Sequence, residues 1–129
     1  MSAGADQAPE RSQGEIAAEV SNAVVRLFTD FYGRGPVKAK TYIVDEYAFT
    51  VLEETLTVAE RTLVRAGQEE LVRRFRLTFQ QEMYETFVGA VEKVLGRRVL
   101  THHSQITFNP EICIEFFRLG DVDAPSGGG

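Results

Sequence analysis

The sequence is poor in the residues that build cross-linked or reactive centres. Its one cysteine, Cys113, excludes an internal disulfide and a multi-thiolate zinc site. Its two histidines, His102 and His103, are adjacent. On a strand they point to opposite faces and cannot chelate one metal. Basic residues are outnumbered, 14 Lys and Arg against 19 Asp and Glu, for a net charge of −5. A surface of that sign repels phosphate backbones, so no nucleic-acid partner is expected. No stretch approaches the ~18 uninterrupted apolar residues of a membrane span, so direct membrane insertion is not expected either. The first residues, MSAGADQAPERSQG, carry no apolar signal region, and Ser2 stands where a myristoylation signal has Gly. A water-soluble, cytoplasmic protein is the expectation. G-x-S-x-G, G-x-x-x-x-G-K-[ST] and H-E-x-x-H are all missing. Gly33-Arg34-Gly35-Pro36 contains a G-x-G, but it follows a helical pattern and Pro blocks a dinucleotide-type helix start.

What is present is ordinary globular composition: 129 residues, 43% hydrophobic and 26% charged. One domain is predicted over 14–120, between small, polar, aperiodic tails at 1–13 and 121–129. Ile16, Val20, Val24, Leu27 and Phe31 recur at helical spacing and predict a helix over Glu15–Tyr32, stopped by the GRGP loop. Two strands follow, Lys38–Glu46 and Tyr47–Glu53, with a turn near Asp45-Glu46. Thr57-Val58-Ala59-Glu60 is a capping box that opens a short helix to about Ala66. A long helix is predicted over Gln68–Leu95, about 42 Å at 1.5 Å per residue. Arg97–Phe108 and Ile112–Leu119 read as strands around an Asn109-Pro110 turn. The order α-β-β-α-α-β-β gives an α+β fold, a four-stranded antiparallel sheet with helices packed on one face. Strand order stays open.

The long helix carries two apolar lines. Val72, Phe75, Phe79, Met83, Phe87, Ala90 and Val94 form the stripe expected to lie on the sheet. Leu77, Tyr84, Val88 and Leu95 form a second line that one sheet cannot also bury. It must meet another helix of the chain, water or another subunit, the last as a homodimer in which the long helices or sheet edges meet across a two-fold axis.

Chemistry is sparse. His102 reads as a hydrogen-bonded, half-buried sheet residue and Cys113, inside ICIEFF, as a small buried hydrophobe. The paired carboxylates suit capping and solvated roles. No catalytic residue, metal site or cofactor is expected, and the chain is read as not an enzyme. One basic set invites an anion-binding reading: Arg34, Lys38, Lys40, Arg97 and Arg98, converging if the two hairpins stand side by side.

Tyr32-Gly33-Arg34-Gly35-Pro36, Thr41-Tyr42-Ile43-Val44-Asp45, Leu56-Thr57-x-Ala59-Glu60 and Gly96-Arg97-Arg98-Val99 carry a resemblance in order and spacing. Over about 14–119 the chain resembles the bacterial Na-translocating membrane-potential-generating system MpsC-like domain family. The resemblance implies a soluble partner of an integral-membrane transport subunit that moves cations. It supplies no catalytic residues. A non-enzymatic accessory or regulatory subunit, homodimeric, is the first functional expectation. A stand-alone cytoplasmic sensor of small anions or nucleotides is the alternative.

Overall fold

The computed structural model describes residues 11–121. Most of both expected tails lies outside those residues. Helix α1 (Gln13–Tyr32) leads into strands β1 (Lys38–Val44) and β2 (Tyr47–Glu53). Helices α2 (Val58–Arg65), α3 (Glu69–Glu82) and α4 (Tyr84–Leu95) follow, then strands β3 (Val99–Phe108) and β4 (Glu111–Leu119). All pairings in the sheet are antiparallel, in the order β1-β2-β4-β3. The α+β fold read from the sequence is therefore the observed one, with β2 and β4 in the middle.

Local chemistry sets the element ends. Ser12 caps α1 and Thr57 caps α2, each in a reciprocal box with the glutamate three positions on, Glu15 and Glu60. The Ser12 cap starts α1 inside the segment read as a tail. Gly33 ends α1 in the left-handed region at φ 81°, donating its N–H to Thr29 O at 3.0 Å. Asp45, in the β1–β2 turn, also takes positive φ, 53°, which a short polar side chain tolerates.

The sheet has two unlike faces. Ala48, Thr50 and Leu52 of β2 and Cys113, Glu115, Phe117 and Leu119 of β4 are buried beneath helices. Their strand neighbours point the other way, away from the helices of the described residues, and Tyr42, Val44, Tyr47 and Ile114 are exposed there. Phe28 of α1, Phe87 and Val91 of α4 and Phe117 of β4 meet in the main core. Leu56, Val72 and Ile106 form a smaller core beneath α3.

The predicted long helix is two. At Met83, φ −95° and ψ 8° carry the backbone out of the helical region, although Met83 still donates to Phe79 O and accepts from Phe87 N, both at 3.0 Å. The break lets α4 serve the main core while α3 serves the smaller one. The sheet-facing stripe also needs correction. In α3 the buried line is Val72, Arg76 and Gln80, while Phe75 is 48% exposed. Phe79 packs instead on Tyr32 of α1, with ring centroids 4.9 Å apart. The aromatic line turns to α1 because Arg76 and Gln80 have polar partners under the helix.

Candidate functional site

Those partners form a buried polar network between α3 and the sheet. Arg76 is 3% exposed and grips Glu60 with two nitrogens, Nη2 donating to Oε1 at 2.6 Å and Nε to Oε2 at 2.7 Å. Nη2 also donates to Thr55 O at 2.9 Å, and the guanidinium lies 3.9 Å from the Tyr32 ring centroid. Glu60 thus closes a helix cap and binds a buried cation with one carboxylate. Burial alone would raise its pKa, but hydrogen bonds from Arg76 and Thr57 outweigh that and hold it below the ordinary value. Burial likewise opposes the Arg76 charge, and Glu60 more than offsets it. The Tyr32 phenol is pushed well up by burial.

The second half of the network centres on Glu115, a fully buried carboxylate in the central strand β4. His102 Nε2 lies 2.6 Å from Oε1. Oε2 accepts from Ser104 Oγ at 2.6 Å, Cys113 Sγ at 3.3 Å and Gln80 Nε2 at 3.5 Å. The His102 ring stacks on Phe117, centroids 4.8 Å apart and planes 10° from parallel, and on Phe87 at 5.5 Å. Gln80 links the halves, since its Nε2 also lies 3.4 Å from the Tyr32 hydroxyl. Its Oε1 is the one buried side-chain nitrogen or oxygen among the described residues with no hydrogen-bond partner.

Beside the network a crevice of about 200 Å³ opens between α3 and β3. Gln80, Ser104 and Cys113 line it, with Arg73, Leu77, Gln105 and Ile106. Arg73 spans from α3 to the edge strand, Nη1 donating to Ile106 O at 2.7 Å. The thiol facing this space is no ready nucleophile: burial, then the charge and hydrogen bond of Glu115, push the Cys113 pKa well up. Among the described residues no group of three or more His, Cys, Asp or Glu is placed to hold a metal ion.

The sequence-based candidates lie elsewhere. Arg34 Nη1 donates to Leu56 O at 2.9 Å beside the start of β1, where Lys38 pairs in register with Glu53. Arg97 sits past the other end of β1, Nε donating to Gly120 O at 3.0 Å and Nη1 to Asp45 O at 3.4 Å. Arg98 is next to it, its carbonyl accepting from Gly120 N at 2.8 Å. Lys40 lies over the Tyr42 ring on the open face. About 20 Å of strand separates the two ends, so the five cations are not brought together. Of the second helix line, Val88 and Leu95 pack on this chain's own core. Leu77 is 50% exposed at the crevice, and Tyr84 is tilted over His102 at 5.8 Å. His102 is more buried than expected, at 7% exposure, and His103 points to the open face with Phe116.

Sequence reasoning passed over Glu115, Arg76, Gln80 and Tyr32. One signal was available. Glu115 shares strand parity with Cys113 and Phe117, so burying either of them buries it.

Comparison with known proteins places this architecture. The chain matches, over residues 12–121, the family model described as Na+-translocating membrane potential-generating system (MpsC). It is similar to the "Uncharacterized protein YbcI" of Bacillus subtilis (strain 168), 24% identical over 111 residues, which cover 85% of this chain and 90% of that protein. No solved structure matches. The family match takes in every helix and strand described above, and the chain belongs to the MpsC family.

Proposed function

We propose that this chain is a non-enzymatic, water-soluble accessory or regulatory subunit of a bacterial membrane system that translocates cations and generates membrane potential, acting on the cytoplasmic side. The family match across residues 12–121 carries this reading. No helix among the described residues is long and apolar enough to cross a membrane, so the ion path of such a system falls to an integral-membrane partner. The non-enzymatic part is supported by the state of the buried groups. Glu115 is engaged by four polar side chains, Arg76 by Glu60, and burial and Glu115 push the Cys113 thiol pKa well up. The test is co-expression with a multi-span subunit of the translocating system, followed by detergent extraction and affinity purification through that subunit. Recovery of this chain in a fixed ratio is the expected result. A chain that stays in the soluble fraction whether or not the membrane subunit is present contradicts the reading.

One observation favours a second reading, a cytoplasmic sensor of a small polar ligand. The crevice sits beside two guanidinium groups, Arg73 and Arg76, and the buried unpartnered Gln80 Oε1 belongs to a residue that lines it. A thermal-shift series with phosphate, bicarbonate and nucleotides tests it. Stabilisation by one of these that Arg73→Ala removes supports a sensor. No shift with any of them sets the sensor aside.

A further inference from the structure

The sheet face turned away from the helices carries exposed aromatic and aliphatic side chains. Two adjacent cross-strand rows run across all four strands: Tyr42, Phe49, Phe116 and His103, then Lys40, Val51, Ile114 and Gln105. The central strands contribute Phe49, Phe116, Val51 and Ile114, so the middle of the face is apolar and uncharged. Charges stand at the margins, with Lys38 and Lys40 on edge strand β1 and Glu53 and Arg118 at the ends of the central strands. An apolar centre inside a polar rim is the anatomy of a protein interface.

The aromatic rings are arranged for packing rather than for receiving flat ligands. Tyr42 and Phe49 stack on each other at 5.3 Å and 23°, and Tyr47 and Phe116 at 5.8 Å and 30°. Lys40 lies over the Tyr42 ring at 5.4 Å and Arg118 over the Tyr47 ring at 5.2 Å. Neighbouring rings and cations lie against these ring faces. Such a surface interdigitates with another apolar sheet but gives nucleobases no free platform. The net charge of −5 opposes a nucleic acid further.

Size selects the occupant. Four strands about 4.8 Å apart and seven residues long at about 3.3 Å each give a flat footprint of roughly 440 Å². Two copies face to face cover roughly 900 Å² in projection, and upright side chains carry more accessible area than their projection. That reaches the ~1,000 Å² expected of a specific interface. A two-fold pairing also sets an uncharged centre against an uncharged centre, so no lone charge is buried.

We propose that two copies of this chain pair through the open faces of their sheets, with Ile114 and Phe116 of each near the centre of the contact. The experiment is light scattering on the eluting full-length protein, from low to high micromolar, for wild type, Ile114→Glu, Tyr42→Lys and Leu77→Glu. Wild type and Leu77→Glu run at twice 14.4 kDa, while Ile114→Glu and Tyr42→Lys fall to 14.4 kDa with unchanged far-ultraviolet circular dichroism. Tyr42, on the edge strand and 42% exposed, keeps the test decisive if Ile114→Glu fails to fold. A wild type of 14.4 kDa at every concentration overturns the proposal. So does a dimer that survives both sheet variants and dissolves in Leu77→Glu. A monomer that binds a single-stranded oligonucleotide through Ile114 and Tyr42 overturns it as well.

Discussion

The buried Glu60–Arg76 pair is the most consequential contact at the scale of single residues. Both side chains are withdrawn from water and each satisfies the other, so removing one strands the other. Arg76→Met or Glu60→Gln should each cost about 3–5 kcal/mol, read from urea unfolding. The pair also sets the acid limb of stability. The Glu60 pKa is lowered from its ordinary 4.5, so its contribution is complete above that value. It is lost as the pH falls through the lower folded value. Stability measured below pH 4.5 should therefore drop more steeply in wild type than in Glu60→Gln. Cys113 sets the opposite limb. Its pKa is raised well above 9.0, so stability is complete below pH 9 and declines above it, and Cys113→Ala should flatten that decline. In the native protein at neutral pH a thiol reagent should label Cys113 far more slowly than in denaturant. At this scale the sequence was half legible. The Thr57–Glu60 capping box announces itself, because both partners lie within four residues, whereas the Ser12–Glu15 box was hidden, its Ser12 lying in the segment read as a tail. Glu115 does not announce itself, because in ICIEFF the polar residue sits among apolar ones and only its parity with Phe117 betrays its face.

At the scale of elements, the strands and helix ends were readable because hydrophobic period, caps and breakers are local signals. The order β1-β2-β4-β3 was not, since it rests on pairing Tyr47 with Arg118 across the chain. Nor was the break at Met83, where helical hydrogen bonds continue and no Gly or Pro stands. The rotation of α3 misled for a related reason. Phe75 and Phe79 satisfy the helical period as well as Val72, Arg76 and Gln80 do, and only tertiary partners decide which line faces the sheet. Backbone conformation supplies a test at this scale. Glu54, just past β2, holds φ 57°, a region that costs a side chain with no local hydrogen bond of its own. Its ion pair with Arg61, at 3.7 Å, is exposed and contributes little. Glu54→Gly should stabilise the protein by about 0.5–1 kcal/mol, seen as a higher Tm. Thr57→Ala should cost about 1 kcal/mol by opening the α2 cap, and more if Glu60 loses its hold on Arg76.

The whole molecule divides its labour between two faces of one sheet. Under the helices, buried polar groups pair with one another around Glu115 and Arg76. On the open face, aromatic and aliphatic side chains such as Tyr42, Val44, Tyr47 and Ile114 are exposed. The sequence reading offered a homodimer through the long helices or the sheet edges, with Leu77, Tyr84, Val88 and Leu95 as the helical contact. Two of those residues are spent inside the chain, and the larger apolar surface lies on strands whose alternation splits it into short, unremarkable runs. The most direct measurement is the Na+-dependent membrane potential of cells, followed with a voltage-sensitive dye, in which this chain has been deleted and then restored. The account predicts that the Na+-dependent component weakens on deletion and returns with the wild-type chain. An unchanged potential in the deleted cells, with the rest of the translocating system present, contradicts it.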